Sequence, residues 1–258
     1  MRRSPSDSWA SQAPLLSFED VSKRFPDGGR QVVVLDRVSF EMESADSVGV
    51  YGAARSGKST MLRLAACIEA PDSGRVCFAG RDVTAISPRE RARLLRSAIA
   101  LVTSDCWEPV PGETVLEHVA TSLGSEGVSL REAKRRALET LDAVGVSAVG
   151  AAESTVSLSA DERARLMLAR ALVRDPKLLI IDEPGPMPRL SERDRFCALI
   201  REAARARGVA VLVASEDMSA LQGMGILMRL SRGDLCSSEP PSKVVRLPSR
   251  EVSASGSS

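Results

Sequence analysis

One short stretch decides most of what this chain can fold into: Gly52-Ala53-Ala54-Arg55-Ser56-Gly57-Lys58-Ser59-Thr60 fits the pattern G-x-x-x-x-G-K-[ST]. The glycines let backbone N–H groups turn inward around an anion, and the following helix presents its positive end to the same point. Such a loop needs a strand before it and a helix after it. Both are legible: Asp46–Tyr51 is an apolar strand pattern, and Lys58 to Cys67 reads as an apolar-faced helix. In that setting Lys58 is expected to reach the β- and γ-phosphates of a nucleotide and the Ser59 hydroxyl to ligate Mg²⁺. Gly52, Ala53, Ala54, Arg55, Ser56, Gly57 and Thr60 complete the expected cradle.

A second, acidic element lies far downstream. Leu178-Leu179-Ile180-Ile181-Asp182-Glu183-Pro184 sets four apolar residues before two carboxylates. The apolar run predicts a buried strand, and Asp182 at its end can hold Mg²⁺ through water. Glu183 then stands where an attacking water needs a base or an orienting acceptor, which makes it the candidate catalytic residue.

Around these motifs, short apolar runs alternate with helical patterns. Leu15–Val21, Gln31–Leu35 and Val38–Met42 read as strands, with Asp27-Gly28-Gly29 as a hairpin turn. Pro71-Asp72-Ser73-Gly74 turns the chain into another strand near Arg75–Ala79. Residues 88–143 hold three helix-like stretches and one strand, Ile99–Thr103. Helix Asp161–Val173, strand Leu178–Asp182, helix Glu192–Arg207 and strand Val209–Ala214 follow. Antiparallel strands first and β-helix alternation later predict an α/β fold, a mixed-sheet core with an N-terminal antiparallel β subdomain and a helical subdomain. Residues 1–13 are expected to be a flexible N-terminus, 14–237 the folded domain with the helical subdomain at about 105–155, and 238–258 a disordered tail.

Composition removes several function classes. A formal net charge of +1 gives no electrostatic footprint for nucleic acid, so no nucleic-acid partner is expected. Five scattered cysteines without a CxxC pair fit a reducing compartment and argue against a disulfide framework or zinc site. No apolar run approaches the roughly 18 residues of a membrane span, and the first residues lack the apolar run of a signal peptide. The single histidine, His118 in VLEHVA, is expected at an exposed or core-edge helix position.

Residues 158–184, LSADERARLMLARALVRDPKLLIIDEP, resemble the signature region of ABC ATPases, in which L-S-G-G-[QE] opens a helix ending A-R-A-L. Leu158, Ser159, Glu162, Arg165, Ala169, Arg170, Ala171 and Leu172 match it, and the resemblance covers about residues 15–235. LLSFEDVSKRF, VVVLDRVSF and SGRVCFAGRDVTAISPRERARLLRSAIALV look like the branch that energises lipoprotein-releasing and macrolide-exporting permeases. The resemblance implies the P-loop NTPase fold of ABC type, with ATP and Mg²⁺ as cofactors. It implies head-to-tail dimers, with itself or with a paralogue, in which one protomer's phosphate loop and the other's signature helix, here opened by Ser159, sandwich each nucleotide. It implies a transmembrane permease subunit as partner, docked on the helical subdomain near Cys106-Trp107, and a cytoplasmic, peripheral location on the inner face of the cell membrane. Phe25 sits where the family stacks an aromatic ring on adenine; beside Pro26 it can equally be a surface anchor.

Four elements depart from the family pattern, at five positions. Ser104 follows strand IALVT where the family has a glutamine; Ala160 and Asp161 replace the two signature glycines. Arg189 stands for the aspartate that communicates across the dimer, and Glu216 for the histidine that contacts the γ-phosphate. A carboxylate at Asp161 facing a phosphate at about 5 Å implies a repulsion of roughly 3 kcal/mol at an effective dielectric near 20. Binding elements are therefore intact and turnover elements depleted. The expected activity is ATP binding with hydrolysis that is weak or dependent on a partner subunit; the alternative is a regulatory or scaffold module that closes on ATP without turnover.

Overall fold

The computed structural model describes residues 13–103, 108–184 and 190–237. Ser104, the Cys106-Trp107 pair, Arg189 and the expected tail at 238–258 lie outside the described residues, as do residues 1–12. Strands β1 (Leu16–Asp27), β2 (Arg30–Met42), β4 (Ser73–Phe78) and β5 (Arg81–Asp82) form an antiparallel sheet in the order β2-β1-β4-β5. A second sheet runs β10-β9-β3-β8-β7-β6, from β3 (Ser47–Tyr51), β6 (Ile99–Thr103), β7 (Leu178–Asp182), β8 (Ala210–Ser215), β9 (Ile226–Ser231) and β10 (Asp234–Ser237). All its pairings are parallel except β9 with β10. The expected α/β architecture, antiparallel lobe, mixed sheet and helical lobe, is the one found.

Alternation along the central strands divides the interior into two cores. Leu178 and Ile180 of β7 and Ala210, Leu212 and Ala214 of β8 face one way, against α1 (Lys58–Ala65) and the antiparallel sheet. Leu179, Ile181, Val211 and Val213 face the other way, toward α3 (Val115–Ala120), α4 (Leu130–Ala143), α6 (Ala160–Leu172) and α7 (Leu190–Arg207). Strands buried on both faces must be apolar at every position, which is why the run 178–181 carries no polar residue. Helix α2 (Pro88–Ser97) and the short α5 (Ala148–Ala151) complete the helices.

Two details differ from the sequence-based expectation. Gln31–Leu35 and Val38–Met42 are one strand, β2, because Arg37 takes φ 45° and its N–H donates to Ser22 Oγ at 3.0 Å. The apparent break is an irregularity in register with β1, not a turn. His118 is buried, only 5 % exposed, bonded through Nδ1 to Glu113 Oε2 at 2.8 Å and lying with Nε2 3.3 Å from the Arg170 guanidinium. It ties α3 to α6, which an apolar-periodicity argument cannot foresee.

Phe40 has no solvent exposure and packs its ring on Phe18 with centroids 4.8 Å apart. Phe40→Ala is expected to destabilise the fold by about 3–5 kcal/mol, read as a lower urea midpoint at unchanged slope. A midpoint within error of the parent would mean the two sheets do not share that core.

Candidate functional site

The site forms where three parallel strands end. β3 runs into the loop 52–57 and then α1; β7 ends at Asp182; β8 ends at Ser215. The register sets Tyr51 beside Ser215 and Asp182 beside Ala214, so the ends are level. Ligands of open α/β sheets bind at such carboxyl ends because loop N–H groups and helix N-termini converge there.

The loop's shape depends on its glycines. Gly57, the residue before α1, has φ 104°, and a Cβ on it would lie 2.7 Å from the Val34 carbonyl. A Cβ on Gly52 would lie 2.4 Å from the Leu230 carbonyl and 2.6 Å from Ser56 Oγ. Arg55 also takes a left-handed φ, 61°. Ser56 N–H donates to the Ala53 carbonyl at 3.2 Å, while the buried Ser56 Oγ has no hydrogen-bond partner. An orphaned hydroxyl inside a loop that no side chain can fill fits a group with acceptor oxygens arriving from the cleft.

Lys58 is 6 % exposed, and its Nζ donates to the Gly52 carbonyl at 2.8 Å and the Ala53 carbonyl at 3.0 Å. Its ion partner is Glu216, with Oε1 3.8 Å away. Glu183 sits at φ 56°, a conformation that costs a side-chain-bearing residue about 1–2 kcal/mol. Tertiary bonds hold it there: its N–H donates to the Ala214 carbonyl at 3.0 Å. Its carboxylate accepts the Ser215 hydroxyl at 2.9 Å and the Glu216 N–H at 2.7 Å. Strain held in place by neighbours marks a side chain whose direction matters. Asp217 continues the arrangement: the Ser219 N–H and hydroxyl, then Arg193, hold its carboxyl below the usual carboxylate range.

Lys58, Glu183 and Glu216 line one cleft of about 410 Å³, which also takes in Phe25, Arg55, Ser56, Gly57, Ser59, Thr60 and Asp182. Most of the expected site residues are therefore gathered by one chain. Phe25 is half-buried at the rim, with the Lys23 ammonium 5.5 Å from its ring centroid. Ser159 is not in this cleft; it caps α6, accepting the Glu162 N–H and donating to Glu162 Oε2 at 2.7 Å. Asp161 is paired with Arg165, Oδ2 to Nε at 2.7 Å, one helical turn along. The bare repulsion of roughly 3 kcal/mol deduced for Asp161 is thus offset by an adjacent guanidinium.

Sequence reasoning missed two cleft residues, Val34 and Arg63. Arg63 follows Thr60 by three residues on α1, a spacing that puts both on one face, and its guanidinium reaches Thr60 Oγ1 at 3.5 Å. Helical spacing could have found Arg63; Val34 approaches Gly57 only through the fold.

A family model described as ABC transporter matches residues 35–185. The chain belongs to the ABC transporter family. The lipoprotein-releasing system ATP-binding protein LolD of Oleidesulfovibrio alaskensis is 31 % identical over 223 residues, 86 % of this chain and 95 % of that protein. The LolD protein of Nitratidesulfovibrio vulgaris is 32 % identical over 231 residues, 88 % and 97 % of the two chains. Among solved structures, a dimeric ATP-binding cassette in a post-hydrolysis state with ADP and Pi matches with a TM-score of 0.77 at 23 % identity, covering 87 % of this chain and 99 % of the other. A Clostridium perfringens protein, part of an ABC transporter complex, matches with a TM-score of 0.76 at 21 % identity over 87 % and 88 %. The ABC fold accounts for the two-sheet layout. Among the described residues, no helix is long and apolar enough to cross a membrane.

Proposed function

We propose that this ABC chain is a Mg·ATP-binding subunit that energises or gates a separately encoded membrane permease, with hydrolysis weak or dependent on a partner subunit. One observation carries the proposal: Lys58, Ser59, Asp182 and Glu183, from α1 and the end of β7, line a single cleft. Gly57 and the N-terminus of α1 would hold phosphate oxygens, Lys58 would bridge the terminal phosphates, and Phe25 would carry the adenine ring. Ser59 and Asp182 would hold Mg²⁺. Their hydroxyl and carboxylate oxygens are the hard donors it takes, with nucleotide oxygens and water completing the shell. When bound, ATP supplies the phosphoryl group and Mg²⁺ neutralises its charge.

The chain's own part in turnover rests on Glu183, with its carboxylate turned toward Ser215 and Glu216. That orientation supports slow hydrolysis by the isolated chain, and it also favours the second reading, an ATP-closed regulatory module. Ser159 and the paired Asp161 would act in trans, on a nucleotide held by a second copy or a paralogue. The relatives' role in lipoprotein release makes a permease of that kind the first partner to test, and with it a peripheral position on the cytoplasmic face of the membrane.

The decisive experiment follows Mg·ATP binding and phosphate release by the purified protein. Saturable binding with release well below the roughly 1 s⁻¹ floor of ordinary turnover is expected. Turnover of several per second by the chain alone would sink the partner-dependent reading. Biological activity that survives Glu183→Gln would favour the regulatory module.

A further inference from the structure

We infer that Glu216 makes this site favour a nucleoside diphosphate over the triphosphate when the chain is alone. The inference rests on the nucleotide reading above and refines it. Lys58 is buried, so its charge has left water and has to be answered by protein groups. The Gly52 and Ala53 carbonyls accept from it at 2.8 and 3.0 Å, and Glu216 Oε1 stands 3.8 Å from Nζ. A carboxylate is therefore already seated at the lysine that a terminal phosphate has to engage.

Glu216 is held there through its backbone. Its N–H donates to Glu183 Oε1 at 2.7 Å, and Ser215 Oγ donates to Glu183 Oε2 at 2.9 Å. The next N–H, of Asp217, donates back to Ser215 Oγ at 3.1 Å, and Asp217 itself pairs with Arg193. The side chain can swing toward solvent, being 56 % exposed, but its Cα remains fixed at the mouth of the cleft.

Charge decides between the two nucleotides. Asp182, Glu183 and Glu216 set three carboxylates in the cleft against Lys58, Arg55 and Arg63, and Arg63 is itself paired with Glu69 at 2.6 Å. A triphosphate brings one more phosphoryl group than a diphosphate into this nearly balanced field. It also competes directly with Glu216 for Lys58. Mg²⁺ offsets part of the added charge for both nucleotides. Because Glu216 is half in water, its repulsion is screened, and the effect belongs in the range of tens rather than thousands.

The test is isothermal titration of the full chain with Mg·ADP and with Mg·ATP, for the parent, Glu216→Gln and Glu216→Ala. The parent is expected to bind Mg·ADP several-fold more tightly than Mg·ATP. Both variants are expected to tighten Mg·ATP about tenfold and Mg·ADP less than about threefold, since one charge is removed in each. Alanine controls for a new hydrogen bond from the glutamine amide, so tightening by glutamine alone would overturn the inference. A parent that binds Mg·ATP as tightly as Mg·ADP, or more tightly, would overturn it too, as would variants that shift both nucleotides equally or not at all. If the parent binds neither nucleotide, the nucleotide site itself is refuted and this inference falls with it. The variants keep the Glu216 N–H and leave Lys58 its two carbonyl acceptors, so the melting temperature is expected to fall by no more than about a few degrees. The parent's ADP-to-ATP ratio tests the point without any substitution.

Discussion

Replacing Lys58 with alanine is expected to weaken Mg·ATP binding by at least about a hundredfold, because two charge-assisted contacts of roughly 1.5–3 kcal/mol each are lost. The ammonium is buried and aimed by the Gly52 and Ala53 carbonyls, so it loses little freedom when a phosphate arrives. No neighbouring group can take over its position: Arg55 is exposed on the loop, and Arg63 is drawn aside by Glu69 at 2.6 Å. The fold should survive, since the aliphatic core of α1 (Met61, Leu62, Leu64, Ala65) is untouched. Titration calorimetry checks the affinity and circular dichroism the fold. Undiminished binding by a folded Lys58→Ala protein would mean that the nucleotide does not use this loop.

Glu183→Gln is expected to lower single-turnover phosphate release about 10²-fold or more while leaving Mg·ATP affinity within a few-fold, the mark of a lost general base. The substitution is close to isosteric. The glutamine carbonyl can still accept the Glu216 N–H, and its amide can donate to Ser215 Oγ, so the left-handed backbone at 183 keeps its anchors. What disappears is the capacity to take a proton from water. Excess protein over radiolabelled ATP makes slow release measurable even where steady-state turnover is not. Equal release rates for the two proteins would remove Glu183 from the chemistry and leave the residual rate to Mg²⁺ and the loop.

The local signals came through because their physics is local. G-x-x-x-x-G-K-[ST] needs a left-handed glycine before a helix, and Gly57 at φ 104° supplies it whatever surrounds the loop. The run 178–181 is apolar at every position because both faces of β7 are buried, and that pattern is visible in one dimension. The α/β architecture followed from these two elements and from strands preceding helices along the chain. Identifying Phe25 as a candidate adenine platform needed the family resemblance as well.

Contacts between distant residues were a different matter. Asp161 read as an unopposed charge until α6 placed Arg165 one turn away, a pair that helical spacing permits but does not require. His118 read as an exposed or core-edge residue and is instead buried between Glu113 and Arg170. By itself the sequence determined the phosphate loop, the acidic strand end and the order of elements, since each is written in neighbouring residues. Only the tertiary structure decided that Glu216 stands at Lys58 and that Ser215 and Glu216 hold Glu183. Those contacts join the ends of β7, β8 and the loop after β3, and their register is set by strand pairing, not by spacing along the chain.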